Sequence, residues 1–232
     1  MTKLVECSNV SKRYGTKLAL DHINLTIERG KIIGLLGPNG SGKTTLIKLL
    51  NDLLSPDQGT ILINGNQPGI ESKKIISYLP ERTYLNFNMK IKELITYFQD
   101  FYEDFDCNKA YELLEKLGIN SNDKLKTMSK GTKEKVQLIM VMSRKADLYI
   151  LDEPIGGVDP AARDYILDTI LNNFNDHASI IISTHLIADI ERVLDEVIFV
   201  KQGKIMLQKS TDSIRKESGQ SIDGYFREAF KC

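Results

Sequence analysis

The sequence has no tryptophan, only three cysteines and only six prolines in 232 residues. Cys7, Cys107 and Cys232 lie far apart with no paired ligand spacing. That excludes a disulfide-stapled scaffold and a cysteine-rich metal module, and it fits a reducing compartment. An excess of one charge is missing too, since 31 basic residues meet 31 acidic ones and the pI is about 6.8. Without the basic surplus that grips phosphate backbones, no nucleic-acid partner is expected. No apolar run reaches 18 residues, and KIIGLLG and KVQLIMVM are too short to span a bilayer. The amino-terminal MTKLVECSNVSKRYG lacks the apolar stretch of a secretory signal. No internal repeat or low-complexity tract is visible. The chain is expected not to cross a membrane, yet it can still be the peripheral engine of something that does.

What is present is ordinary for a globular protein: 41% hydrophobic and 27% charged residues, enough for a large core. The length suits one α/β domain, with or without an inserted lobe. Residues 1–30 alternate imperfectly and predict two short strands joined near Tyr14–Gly15. Ile32, Ile33, Leu35 and Leu36 predict a compact strand stopped by Gly37. Leu46, Leu49, Leu50 and Leu53 recur at helical spacing, with Ser55–Pro56 as the stop. TILING after Gly59 and the run from Ile75 to Leu79 read as strands. From about 82 to 145 the period is helical, which predicts a lobe inserted into a single 1–232 domain. Its aromatics Tyr97, Phe98, Phe101, Tyr102 and Phe105 are expected to form a core seam, with a partner surface as the alternative. Strand signals return at 148–151 and 179–183, a helix follows Asp159–Pro160, and VIFVKQGKIML predicts a hairpin turned at Gln202–Gly203. The tail carries Ile222, Tyr225, Phe226, Ala229 and Phe230 on one side, and is expected to pack on its own body.

The most specific segment is Gly37-Pro38-Asn39-Gly40-Ser41-Gly42-Lys43-Thr44, which matches GxxxxGK[ST] between a strand and a helix. Such a loop turns backbone N–H groups onto anionic oxygens, and the helix N-terminus adds favourable partial charge. Lys43 is expected to reach the β- and γ-phosphates, and the Thr44 hydroxyl to help ligate Mg²⁺. A bound nucleotide is the implication. Leu148–Leu151 then ends in Asp152–Glu153, at the sheet edge where ligands bind. Asp152 suits a water-mediated partner of the Mg²⁺, and Glu153 can polarise an attacking water. His185 ends a second strand and can contact a γ-phosphate or orient that water, whereas His22 and His177 have no such placement.

Together these segments resemble the nucleotide-binding subunit of an ABC transporter along essentially the full length. The Walker A segment is Gly37 to Thr45, Walker B is Leu148 to Pro154, and the D-loop is similar to Gly156–Pro160, with Asp159 counted in the nucleotide site. The resemblance implies Glu153 as catalytic base, His185 as switch histidine and Tyr14 as the adenine-stacking aromatic. Two segments depart from the commonest form. The signature reads Met128-Ser129-Lys130-Gly131-Thr132, keeping the serine and second glycine that present a hydroxyl and an N–H to a γ-phosphate. At the Q-loop, Glu81 stands where the family has glutamine. Glu81 can ligate Mg²⁺, but its charge repels a γ-phosphate when the ion is absent, so a measurable but slow ATPase is expected.

The fold implied is an α/β P-loop ABC ATPase: a mostly parallel core sheet, an amino-terminal antiparallel subdomain and an inserted helical lobe. The partners implied are a second nucleotide-binding subunit, held head to tail so that Ser129 and Gly131 cover the neighbour's ATP, and separately encoded permease subunits at the cytoplasmic face of the cell membrane. The variant signature resembles that of bacterial exporters, including those of small or antimicrobial peptides. Other classes remain open: a soluble non-transport ABC module, an ATP-binding homologue with little turnover, or a P-loop small-molecule kinase.

Overall fold

The computed structural model of the chain describes residues 2–156, 158, 160–175 and 177–231. The chain opens with β1 (Lys3–Tyr14) and β2 (Lys17–Glu28), strands of 12 residues each rather than the short pair predicted. Register shifts between them, with Asn9 and His22 at positive φ, re-phase the side chains. Each bulge swaps the faces, so an imperfectly alternating sequence still buries Leu4, Val5, Val10, Leu20, Ile23 and Ile27.

Next come β3 (Ile32–Leu36), α1 (Lys43–Leu50) and β4 (Gln58–Ile63). Helix α1 stops earlier than Ser55–Pro56, because Asn51 donates its side-chain amide to the Ile47 carbonyl and Asp52 turns at φ +54. Leu53 therefore falls outside the helix and is 55% exposed. A short helix that the sequence did not signal, α2 (Ile70–Ile75), leads into β5 (Ile76–Leu79).

The helical stretch resolves into α3 (Ile91–Phe101), α4 (Cys107–Lys116), a single 3-10 turn at Leu125–Thr127 and α5 (Lys130–Met142). Ile91, Leu94, Ile95, Phe98, Leu113, Leu114, Val136, Ile139 and Met140 give this lobe a core of its own. Its aromatics do not form one seam. Phe98 and Phe105 are buried, but Tyr97 and Phe101 stand 48% and 66% exposed. They are four residues apart on α3, with ring centroids 4.5 Å apart, on the solvent-facing flank of the stripe that buries Ile91, Leu94 and Phe98.

The rest of the chain is β6 (Leu148–Asp152), α6 (Pro160–Leu171), β7 (Ser179–Thr184), α7 (Ile187–Ile190), β8 (Glu196–Lys201), β9 (Lys204–Ser210), α8 (Thr211–Ser218) and α9 (Ile222–Ala229). Among the described residues the strands form two sheets, β2-β1-β4 and β5-β6-β7-β3-β8-β9. The first is antiparallel. In the second all pairs are parallel except the β8–β9 hairpin, which turns at Gln202 and Gly203, both at positive φ. β6 and β7 are buried along their whole length, as strands covered on both faces must be. The tail packs on the body: Phe199 meets the rings of Tyr225, Phe226 and Phe230. Among the described residues no helix is long and apolar enough to cross a membrane.

Candidate nucleotide site

The parallel order brings the carboxyl ends of β3, β6 and β7 to one edge of the six-stranded sheet. There the loop 37–42 leaves β3 and enters α1. Two glycines show why the loop takes this path. A Cβ on Gly37 would lie 2.3 Å from the Val200 carbonyl, and one on Gly42 would lie 2.7 Å from the Ala19 carbonyl at a φ of +114. Any side chain at either place would push the loop off β8 or β2. The Gly203 N–H donates to the Ser41 carbonyl at 2.8 Å and fastens the loop to the β8–β9 turn.

Lys43 is 6% exposed and curls over the loop, donating to the carbonyls of Gly37 at 2.7 Å and Pro38 at 3.3 Å. Burial holds its pKa below the usual lysine value, partly opposed by the charges of Glu153, Asp152 and Glu81. Asp152 is 1% exposed, and its carboxylate makes no well-formed hydrogen bond, although the Ser183 and Thr44 hydroxyls lie beside it. Burial pushes its pKa up; the neighbouring Ser183 and Thr44 hydroxyls offset this in part, while Glu153 and Glu81 add to it. The hydroxyls of Ser41 and Ser183 are likewise buried without a well-formed hydrogen bond. A buried carboxylate left this way is costly unless something outside the chain completes it.

Glu153 adopts φ +52, a left-handed conformation that costs a non-glycine residue about 1–3 kcal/mol. Its N–H donates to the Ser183 carbonyl at 2.8 Å, and its carbonyl accepts from Gly156 N–H at 3.0 Å. The strained turn aims the carboxylate at His185, whose Nδ1 lies 3.1 and 3.2 Å from the two oxygens. Those two residues, 32 apart in sequence, are brought into contact because β6 and β7 are neighbours.

These groups open into one cleft of about 960 Å³. Of the expected site residues, Tyr14, Asn39, Gly40, Ser41, Gly42, Lys43, Thr44, Thr45, Glu81, Asp152, Glu153 and His185 line it. Gly37 and Pro38 sit just behind, holding Lys43. Tyr14 is 47% exposed at the end of β1, with a ring free to stack. Asp159 lies outside the described residues. Ser129 and Gly131 are not brought into the cleft lining; instead Lys130, Lys133, Glu134 and Gln137 of α5 form its far side. Ser129 caps α5, accepting from Thr132 N–H at 3.1 Å, and the space beside Gly131 is open. The Lys130 side chain is 82% exposed and meets Glu134 only at 3.8 Å.

Several residues of the site carried no sequence expectation. Lys17 and Phe87 line the cleft. Arg163 donates to the Val158 carbonyl at 3.1 Å and to Asp189 at 2.7 Å, tying the loop before α6 to α7 just beyond His185. Gln137 does have a signal in sequence: one amide interrupting the apolar run of α5.

A family model described as ABC transporter matches residues 20–156. The chain is 31% identical over 219 residues to the ABC transporter ATP-binding protein YtrB of Bacillus subtilis (strain 168), covering 92% of this chain and 74% of that one. It is 32% identical over 210 residues to the SkfA peptide export ATP-binding protein SkfE of the same organism, covering 88% of each. Among solved structures, one described as the ATP binding subunit of an ABC transporter superposes with a TM-score of 0.88 at 28% identity, over 98% of this chain and 100% of that chain.

Proposed function

The chain belongs to the ABC transporter family as an ATP-binding and ATP-hydrolysing subunit, and from that premise we propose that it powers an exporter by closing over ATP with a second, similar subunit. The observation that carries this reading is the incompleteness of the cleft. The groups that grip a triphosphate stand on one side, while Ser129 and Gly131 at the front of α5 stay out of the cleft lining, with the Lys130 side chain 82% exposed and open space beside the glycine. The N-terminus of this 13-residue helix is suited to an anion supplied by another molecule. In a head-to-tail pair, Ser129 and Gly131 of each copy cover the terminal phosphate held by Lys43 of the other. ATP then favours the closed pair by binding it more tightly.

In this reading Tyr14 stacks on the base, the N–H groups of the loop 37–42 and Lys43 hold the phosphates, and Thr45 borders them. Asp159 is counted in the nucleotide site as well. The residues present fit Mg²⁺: the buried Asp152 carboxylate, which makes no well-formed hydrogen bond, lies near the Thr44 hydroxyl, with Glu81 within electrostatic reach. Among the described residues no cluster of three or more His, Cys, Asp or Glu side chains could cage a metal. A hard cation held by one or two carboxylates, a hydroxyl and phosphate oxygens needs none. Mg²⁺, when bound, supplies charge neutralisation at the phosphates. Glu153 accepts the proton of the attacking water, and His185 steadies that carboxylate while facing the terminal phosphate.

Residues 82–145 serve as the lobe that docks on a separately encoded permease at the cytoplasmic face of the membrane. The exposed Tyr84, Tyr97 and Phe101 support this, since aromatic rings left in water mark a partner surface. Export rests on the resemblance of the variant signature and on SkfE, named for peptide export. A second reading, an ATP-binding subunit with little turnover, draws on Glu81 and Lys130. Glu153→Gln tests both: phosphate release is expected to fall about 10²–10⁴-fold while Mg-ATP now traps dimers in sedimentation. Equal release from native and variant protein favours the second reading, and monomers only would remove the closed pair.

A further inference from the structure

The strand that leads to Glu81 is bolted to α5 along its length. Arg144, just past the helix, donates to the carbonyls of Lys74 near the end of α2 and of Ile76 at the start of β5. Ser77 donates its hydroxyl to the Val141 carbonyl at 2.8 Å. Gln137 donates its amide to the Pro80 carbonyl at 3.3 Å. Only this last bond acts where the chain leaves the sheet. The β5–β6 pairing ends at Leu79 opposite Leu151, and Pro80 has no N–H to offer. Glu81 is the next residue.

Gln137 is 3% exposed, and Val136, Leu138 and Ile139 around it are core residues. An amide at such a place is costly unless paired, and an apolar side chain would fill the space without that cost. Its position therefore points to a use for the amide. Gln137 and Glu81 line the same cleft, and the charge of Glu81 acts on both Lys43 and Asp152.

We propose that Gln137 is a positioning residue: through Pro80 it holds Glu81 toward the Asp152–Thr44 end of the cleft and so sets how tightly a divalent cation is held beside nucleotide. This rests on the reading of Glu81 as a metal-facing group. It also makes α5 a rigid link. Seven residues of helix, about 10 Å, separate Gln137 from the exposed Lys130, so the front of α5 and Glu81 shift together.

The test uses Mn²⁺ as the probe, titrated by electron paramagnetic resonance into the full chain saturated with ADP. Gln137→Met keeps the side-chain length and removes the donor. It is expected to weaken Mn²⁺ binding about tenfold, as loss of a partner behind a metal ligand commonly does, with the urea midpoint unchanged. In the Glu81→Gln background the same substitution is expected to add nothing. An unchanged Mn²⁺ affinity in Q137M, alongside a change in E81Q, overturns the inference alone. An equal loss in both backgrounds also overturns it, because Gln137 then acts without Glu81. No change in E81Q removes the metal-facing reading of Glu81 itself. Should Q137M lose the fold, Gln137→Leu gives the same comparison.

Discussion

The phosphate loop and the front of α5 are built on opposite principles. The phosphate loop is over-determined: Gly37 and Gly42 press against neighbouring backbone, Lys43 is buried, and the β8–β9 turn fastens the loop from behind. The front of α5 is under-determined, with Lys130 in solvent and nothing within 4 Å of where a Gly131 side chain would begin. The first is a finished receptor for an anion. The second is a surface finished only by something else. Preorganisation inside the chain and completion from outside it are thus divided between the two regions.

The sharpest way to break that contrast is to add one methyl group to each region. Gly42→Ala forces a Cβ to within 2.7 Å of a backbone carbonyl at φ +114, and a loss of roughly 2–4 kcal/mol of stability is expected in urea unfolding. Gly131→Ala, in open space within a helix, is expected to be neutral or to stabilise by up to about 1 kcal/mol. Comparable losses at both positions would erase the distinction. A smaller effect is expected at Asp152. Replacing this buried carboxylate, which makes no well-formed hydrogen bond, with asparagine removes a charge held away from water, so the nucleotide-free protein should gain about 1–2 kcal/mol. The rise in Tm produced by Mg-ADP should shrink, and an undiminished rise would exclude Asp152 from the cation site. The smallest effect is expected for Ser129→Ala. Losing the cap on Thr132 N–H costs about 1 kcal/mol, while ATP-driven association of the E153Q background weakens in sedimentation. Loss of the cap without weaker association would place Ser129 in the helix only.

How legible this was depended on the range of the determining contacts. The phosphate loop could be read because a tight turn between strand and helix is a local problem with a local residue solution. The β8–β9 hairpin was legible at Gln202–Gly203 for the same reason. The 12-residue strands of the first hairpin were not, because their bulges depend on which partner side chains share a face. The end of α1 was misplaced because apolar spacing continues to Leu53, whereas the Asn51–Ile47 bond and the left-handed Asp52 stop the helix first. The lobe aromatics looked alike in sequence, yet helical geometry sends Phe98 inward and Tyr97 and Phe101 outward.

By itself the sequence determined the chemistry offered: a glycine loop for phosphates, adjacent carboxylates at a strand end, a histidine at another, and no membrane-spanning run. The spacing of those residues along the chain encodes local geometry, and local geometry suffices for such parts. Only the tertiary structure decided which of them meet. Neighbouring parallel strands bring Glu153 to His185, burial leaves the Asp152 carboxylate without a well-formed hydrogen bond, and a single amide on α5 reaches the carbonyl before Glu81. Those outcomes depend on strand order and on exclusion of water, and both are properties of the whole fold rather than of any segment.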